Sequence, residues 1–239
     1  MRWRATSIGW HVRRAETMIP HRSGRASART VPLLLLVASM IAGSAMSDEG
    51  APTPARMLLD AWSEATYRTD AGAREQRLAR IDVQAQRAVA EDPRNAELLA
   101  WAGIVAASHA GEKGGIGALS IARRAKGWLE RAIDLDPDTI EGGALTGLGV
   151  LYDQMPGWPI GFGDDRKAEA LLGDAARRHP DNANAHFFHG EFLAAHDRPE
   201  KAREAFERAR AIPVRPDTLV ADQGLQSRVL EALQRLDAP

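Results

Sequence analysis

The chain has 239 residues, a formal net charge of −1 and no cysteine. Without cysteine the protein has neither disulfide bonds nor a site for a lipid attached to cysteine, so its fold depends on its core alone. The length allows one domain with a sizeable core.

The first 45 residues predict a secretory signal peptide. The apolar run 31–42 has 12 residues and is too short to cross a bilayer comfortably as a helix. Seven arginines and one glutamate precede it, and the small residues 43–45 follow it, as at a signal-peptidase site. We expect cleavage after Ala45 and a periplasmic or secreted protein. Met18 is an alternative start, and an uncleaved membrane anchor is the competing interpretation.

Removing this leader changes the charge. Residues 46–239 keep 24 basic and 31 acidic side chains, a net charge of −7. An acidic domain repels a phosphate backbone, so nucleic acid is not an expected partner. Alanine is abundant, and no segment alternates apolar and polar residues. We therefore expect a short linker at 46–54 and an all-α domain at 55–239, with no membrane insertion after cleavage.

Four alanines mark the ends of predicted helices: Ala88, Ala132, Ala175 and Ala209. Each is followed within a few residues by a proline, which cannot continue a helix and disfavours helix in the residue before it. The alanines are 44, 43 and 34 residues apart. This spacing predicts four helical hairpins, with inserts between the two helices of the second and third.

In the first two hairpins, apolar residues recur at helical spacing. The first hairpin carries Leu58, Leu59 and Trp62 on one helix and Ile81, Ala85 and Ala88 on the next. We expect the second to have helices at about 95–109 and 120–135, joined by the glycine-rich insert 111–118. This insert lacks the Gly-Lys-Ser/Thr order and the preceding strand of a phosphate-binding loop.

The third and fourth hairpins have the clearest pattern. The third carries Leu145, Leu148, Gly149 and Tyr152 on its first helix and Ala168, Leu172 and Ala175 on its second, with the insert MPGWPIGFGDD between them. In the fourth, Gly190 is followed 12 residues later by Ala202, and then by Phe206 and Ala209. Residues 216–236 predict a final helix that caps the array.

This spacing of small and large residues resembles the tetratricopeptide repeat (TPR) over residues 56–213. The resemblance implies a right-handed α-solenoid of about nine helices that binds proteins or peptides on a concave face. It also implies that small residues lie where helices cross, here Gly149, Ala168, Gly190 and Ala202. The segment from Gly147 to Leu172 is similar to exported bacterial TPR proteins and, more weakly, to the T-component of TRAP-type transporters.

The resemblance also implies which residues of each first helix face the concave groove. They are Ala96, Leu99, Gly103 and Ala106; Gly143, Thr146, Val150 and Asp153; and Asn184, Phe187, Glu191 and Ala194. None is a lysine or arginine, so a clamp for a peptide carboxylate is not expected. The groove would suit an apolar or cationic segment. Burial of some of these residues under neighbouring loops is the alternative.

The insert of the third hairpin is the strongest candidate for a binding site. It places Trp158 and Phe162 among three glycines and two prolines, which restrict the shape of a loop. Large apolar side chains in a loop are either buried or used for binding. Both interpretations stay open: a plug for the solenoid, or a contact loop. The predicted partner-binding residues are Trp158, Phe162, Tyr152, Asp153, Phe187 and Glu191.

Catalytic groups, cofactors and metals are not expected. No grouping of Ser, His and Asp has a recognisable spacing. His186, His189 and His196 lie roughly on one stripe, but helix packing explains the first two better than metal binding does. We therefore expect a non-enzymatic scaffold that binds a protein or peptide in the cell envelope. The alternatives are an accessory solute-binding subunit of a TRAP-type transporter and a purely structural solenoid, and oligomerisation is open.

Overall fold

The computed structural model describes residues 51–237, which contain nine α-helices, one 3₁₀ turn and no strand. The helices are α1 Pro54–Tyr67, α2 Ala71–Glu91, α3 Ala96–Lys113, α4 Gly115–Leu135, α5 Thr139–Gln154, α6 Asp165–Arg178, α7 Ala183–Ala195, α8 Pro199–Ala211 and α9 Leu219–Asp237; the 3₁₀ turn is Pro216–Thr218. The predicted signal peptide lies outside the described residues. Within them, no helix combines the length and the apolar character needed to cross a membrane.

The helices pair as four antiparallel hairpins, α1–α2, α3–α4, α5–α6 and α7–α8. Successive hairpins stack through their first helices, because α3 packs against both α1 and α5, and α5 also packs against α7. This is the α-solenoid that the repeat spacing predicts, and the prediction of an all-α fold is confirmed.

Caps and backbone hydrogen bonds define the helix ends. Four helices have a side-chain cap at the N-terminus, where a side-chain oxygen accepts a hydrogen bond from a backbone N–H group of the first turn. The capping residues are Thr53 for α1, Asn95 for α3, Asp164 for α6 and Asn182 for α7. At the other end, the carbonyls of Ala88, Ala132 and Ala175 accept the last helical hydrogen bonds, at 2.8–3.0 Å. These alanines therefore lie where the sequence placed them, one turn before each helix stop.

Within three hairpins a glycine lies where the two helices cross. A Cβ atom added to Gly103 would lie 2.5 Å from Leu129 Cγ. At Gly149 the nearest atom would be Leu172 Cγ at 2.7 Å, and at Gly190 it would be Phe206 Cε1 at 2.6 Å. No side chain fits at these distances, so glycine is what allows the helices to approach. Ala168 and Ala202, on the second helices, are fully buried.

The predicted glycine-rich insert 111–118 is not a loop. Helix α3 continues to Lys113 and α4 begins at Gly115, so a single residue, Gly114, separates them. Gly114 has a φ of 60°, in the left-handed region that glycine adopts without strain. The extra residues of the second hairpin therefore lengthen its helices. In the third hairpin, by contrast, the insert is a loop between α5 and α6.

Helix α9 does more than cap the array. It packs against α8, as predicted, but also against α7 and α1. A Cβ atom at Gly224 of α9 would lie 2.2 Å from the ring of Tyr67 in α1, so this contact is close. Arg56 of α1 also donates a hydrogen bond to the carbonyl of Asp217. The C-terminal segment thus connects the last hairpin to the first across the concave side.

A buried ionic cluster joins α2, α3 and α4. The Asp82 carboxylate lies 2.8 Å from His109 Nδ1 and 2.5 Å from Arg124 Nη2, and its side chain is 3% exposed. Beside it, the buried Arg74 and Glu112 form a second ion pair at 3.4 Å. Pairing offsets part of the cost of burying these charges, and removal of one partner would leave an uncompensated buried charge.

Candidate functional site: a concave cavity and an aromatic loop

The concave side of the solenoid contains a partly open cavity of about 360 Å³, which we call the concave cavity. The first helices α1, α3, α5 and α7 form its walls, and the segment from Arg215 to Arg228 covers part of it. It is lined by Arg56, Leu59, Trp62, Glu97, Trp101, Ile104, Ala107, Ser108, Ile140, Glu141, Gly143, Thr146, Gly147, Val150, Asn182, Asn184, Phe188, Arg215, Asp217, Thr218, Ala221, Asp222 and Arg228. Its volume is in the range of small-molecule sites.

Aromatic side chains form much of the apolar wall. The rings of Trp62 and Trp101 lie 5.9 Å apart, and Trp62 Nε1 donates a hydrogen bond to Ser108 Oγ at 2.8 Å. Phe188 lines the cavity from α7. Because the indole N–H of Trp62 has its acceptor, the ring is held in place and presents an apolar surface.

Ion pairs hold the C-terminal segment against the cavity. Arg215 Nε lies 3.1 Å from Asp222 and its Nη1 lies 2.9 Å from Glu141 of α5. The hydrogen bond to Asp222 raises the pKa of Arg215, so the guanidinium stays charged. The pair between Arg215 and Glu141 joins residues 74 positions apart in sequence and connects this segment to the start of α5, but its side chains are half exposed, so it contributes at most about 1 kcal/mol.

The start of α5 has a strained backbone. Ile140, Glu141 and Gly142 have φ values of 45°, 55° and 75°, and a non-glycine residue in this region costs about 1–3 kcal/mol. A Cβ atom at Gly142 would lie 2.3 Å from the ring of His179, so this position requires glycine. Asn182 Nδ2 donates to the Glu141 carbonyl at 2.8 Å. The strained turn places Ile140 and Glu141 at the cavity wall.

The predicted groove residues line the cavity in part. The predicted groove residues that line it are Gly143, Thr146, Val150 and Asn184. In the second hairpin the predicted register is wrong by one residue: Gly103 faces Leu129 at the helix crossing. There the lining residues are Glu97, Trp101, Ile104, Ala107 and Ser108, while the predicted Leu99 and Ala106 are buried in the core. Ala96, Asp153 and Ala194 do not line the cavity.

The expected absence of cations from the groove is also wrong. Arg56 enters the cavity from α1, and Arg215 and Arg228 enter from the C-terminal segment. The groove positions predicted from the sequence all lie on the first helices of the second, third and fourth hairpins, whereas these cations come from α1 and the C-terminal segment. Arg228 lies over the rings of Phe187 and Phe188, at 4.6 and 5.5 Å from their centroids.

Two predicted partner-binding residues lie elsewhere. Phe187 is 1% exposed and packs against Phe206, with 5.8 Å between the ring centroids, so no partner can reach it in this conformation. Its neighbour Phe188 faces the cavity instead. Glu191 is mostly buried and pairs with Arg235 of α9 at 2.6 Å. Both residues therefore stabilise the packing of α7 with α8 and α9.

Residues 155–164, which we call the aromatic loop, have a defined backbone. Gly163 N donates to the Pro156 carbonyl at 2.9 Å, and Asp164 N donates to the Tyr152 carbonyl at 3.0 Å. A Cβ atom at Gly161 would lie 2.3 Å from the Pro156 oxygen. These bonds and close contacts fix the loop on the end of α5.

The two aromatic side chains of the loop have different environments. Phe162 packs edge-on against Tyr152, with 5.7 Å between ring centroids, and Lys126 Nζ lies 5.9 Å from both rings. Trp158 is 90% exposed. Phe162 is therefore packed inward, as the plug interpretation predicts. Trp158 instead faces solvent, as the contact-loop interpretation predicts.

Ile116, which is not among the residues predicted to bind a partner, is 89% exposed in the first turn of α4. Trp158 and Ile116 are the two most exposed large apolar side chains of the described residues. Each lies at the junction between the first and the second helix of a hairpin. In a stack of hairpins these junctions lie along one edge.

No protein-family model and no curated protein matches this sequence. Among solved structures, TTC0263, a thermophilic TPR protein of Thermus thermophilus, is similar with a TM-score of 0.52 and 20% sequence identity. The similarity covers 77% of this chain and 83% of that one. The chain has a TPR fold. At this identity the likeness concerns the fold alone.

Two further TPR-like matches are weaker. A MamA structure has a TM-score of 0.41 and 17% identity and covers 67% of this chain and 87% of its own. A second, from Desulfovibrio magneticus RS-1, has a TM-score of 0.39 and 16% identity over 77% of this chain and 98% of its own. The resemblance to the TRAP-transporter T-component stays a prediction.

Proposed function

We propose that this TPR-like protein is a non-enzymatic scaffold, exported to the cell envelope, that binds a partner protein along the edge carrying Trp158 and Ile116. The observation that carries the proposal is the exposure of these two side chains, at 90% and 89%. Exposed tryptophan is a frequent anchor in protein interfaces, and a single contact residue of this type contributes about 2 kcal/mol or more. The fixed backbone of the aromatic loop lowers the entropy that binding would cost.

A partner lying along the concave groove is less favoured. An extended peptide needs an open groove, and the C-terminal segment crosses this one through the contacts of Arg56 and Arg215. The outer edge needs no such opening, so it is the better candidate for a protein partner.

Photo-crosslinking tests the edge. A photoreactive amino acid at position 158 of the protein in envelope extracts should give one dominant adduct, which Ile116→Ser should reduce. Met57 of α1 is 58% exposed and provides the matched control, because it is apolar and far along the array. Equal crosslinking from positions 57 and 158 would refute the proposed edge.

The concave cavity supports a second candidate, the binding of a small solute. Its 360 Å³ would hold a compact molecule with an apolar part against Trp62 and Trp101 and an acidic group near Arg56. This function corresponds to the accessory-subunit alternative and also requires no catalysis.

Native mass spectrometry of the purified protein tests this candidate, because a retained solute appears as a defined mass increment. Ala221→Phe places a ring in the cavity and should abolish the increment. Ala211→Phe adds the same ring at an exposed position at the end of α8 and should leave it unchanged. An increment that survives Ala221→Phe would rule out the cavity as its site.

A further inference from the structure

Three potential metal ligands converge just beyond the aromatic loop. Asp153 lies near the end of α5, Asp165 is the first residue of α6, and His196 follows the end of α7. One ligand atom from each lies within 4.8 Å of the other two. We call these residues the Asp–Asp–His cluster. They come from two hairpins, so only the folded chain brings them together.

The hydrogen bonding of His196 prepares it as a ligand. Its Nδ1 lies 2.8 Å from the Phe192 carbonyl. A carbonyl oxygen can only accept, so Nδ1 carries the proton and Nε2 of the neutral ring carries the lone pair. A backbone carbonyl bonded to one ring nitrogen is the usual way in which a metal-binding histidine is oriented. The ring also stacks on Phe192, with 4.0 Å between centroids, which restricts its rotation.

The other side of the imidazole faces the carboxylates. Nε2 is buried and has no hydrogen-bond partner. It lies 3.6 Å from Asp165 Oδ2, which is too long for a good hydrogen bond. Two ligands held about 2.0–2.1 Å from Zn²⁺ at a tetrahedral angle lie about 3.4 Å apart. The observed separation is therefore close to that of two ligands of one ion.

The charges around the cluster suit a divalent cation. Its two carboxylates supply the negatively charged oxygen ligands that a divalent cation requires. Of the cationic side chains beside it, Lys167 Nζ lies 3.9 Å from Asp164, and Arg198 lies 2.5 Å from Glu169. Asp164 caps α6 by accepting from the N–H groups of Arg166 and Lys167. The first turn of a helix favours an acidic residue, which accounts for Asp165. It does not account for the buried Nε2 of His196, which has no hydrogen-bond partner.

We propose that Asp153, Asp165 and His196 bind a divalent transition-metal ion of the Zn²⁺ type. One imidazole and two carboxylates are a ligand set that zinc accepts, and a water molecule would complete the coordination, because the Asp165 side chain is 68% exposed. The ion would link α7 to the residue that follows the aromatic loop. Its role would thus be to fix the base of that loop, and the sequence-based expectation of no metal site would not hold.

Calorimetric titration of the purified protein with ZnCl₂ tests the site. The wild-type protein should bind one equivalent saturably. His196→Ala should weaken this binding at least about 10–100-fold, since even changes to groups that only orient a ligand have effects of that size. His189→Gln is the matched control, because it removes an imidazole seven residues earlier, inside α7 and outside the cluster, and should leave the affinity unchanged.

Two readouts separate the ion from a simple ion pair between His196 and Asp165. Zn²⁺ should raise the melting temperature of the wild-type protein but not of His196→Ala, and Co²⁺ should give visible absorption bands only in proteins with an intact cluster. If His196→Ala does not fold, Asp165→Asn replaces it, since this exposed side chain is not needed for packing. No saturable binding by the wild type, or wild-type affinity in both variants, would overturn the proposal.

Discussion

The glycines at the helix crossings allow a quantitative test of the repeat packing. Gly190→Ala adds one methyl group that would lie 2.6 Å from Phe206 Cε1 and 2.7 Å from its Cδ1. Phe206 is 1% exposed, so its ring cannot move into solvent. Overpacking of this kind costs about 1–3 kcal/mol. Replacing glycine by alanine within a helix increases the free energy of unfolding by about 0.8–1.0 kcal/mol through helix propensity. The net loss in the free energy of unfolding should therefore be about 0–2 kcal/mol.

A matched control isolates the packing contribution. Gly127 lies inside α4, and a Cβ atom there meets nothing within 4 Å. Gly127→Ala should therefore be stabilising by about 0.8–1.0 kcal/mol. The helix-propensity gain is the same in both variants, so the difference between them reports the steric cost alone, about 1–3 kcal/mol. For a domain of this size that difference corresponds to about 2–12 °C in melting temperature.

Urea denaturation of both variants, with thermal melts beside it, measures this difference. A double variant with Phe206→Leu should recover part of the loss in Gly190→Ala, because the smaller side chain leaves room for the methyl group. Equal stability of Gly190→Ala and Gly127→Ala would refute the argument that Gly190 is required by the approach of α7 to α8.

Three further predictions concern the ionic cluster, the aromatic loop and the leader. Burial alone would raise the pKa of Asp82, but hydrogen bonds from His109 and Arg124 outweigh it and hold the pKa below its ordinary 3.8. A carboxyl with a lowered folded-state pKa stabilises the protein above its unfolded pKa, and this contribution is lost as the pH falls through the folded value. Asp82→Asn should therefore cost about 3 kcal/mol at pH 7 and reduce the dependence of unfolding free energy on pH below about 4, measured by urea titrations across pH. Trp158→Ala should change stability by less than about 0.5 kcal/mol, whereas Phe162→Ala should cost up to about 3 kcal/mol in the same melts; a large loss in Trp158→Ala would contradict its exposed position. N-terminal sequencing of protein from the envelope fraction should begin near Met46, and a retained leader would remove the proposals of export and of a net charge of −7.

The sequence could predict the local features of the fold well. Helix ends depend on prolines and on capping residues such as Asn95 and Asn182, which act within one turn. The crossing residues Gly149 and Gly190 follow from the short-range spacing of the repeat. The second hairpin shows where such reasoning fails. Its longer helices make the repeat spacing less clear, and a register error of one residue led to the prediction that Gly103 faces the groove, whereas it lies at the helix crossing.

The candidate sites were harder to predict because they combine distant residues. The Asp82 cluster joins three helices, and the Asp–Asp–His cluster joins two hairpins, with no local motif in either. A histidine stripe on α7 was visible in the sequence, yet the ligand-like nitrogen belongs to His196, which follows the helix. The two carboxylates beside it come from the preceding hairpin, α5–α6. Sequence spacing within one helix gives no information on such neighbours.

Helix α9 explains why the concave side does not resemble the groove that the repeats alone imply. A repeat array leaves the face of its last hairpin exposed, and a final amphipathic helix covers it, as Leu225 and Val229 do here. The same helix has a second contact at Gly224, where the absence of a side chain lets it approach Tyr67 of α1. Burial raises the pKa of the Tyr67 phenol, although the nearby Arg228 opposes this, so the ring stays neutral beneath α9. Gly224 therefore allows the last helix to approach the first hairpin, and this approach narrows the concave side and restricts the ligands that it can accept.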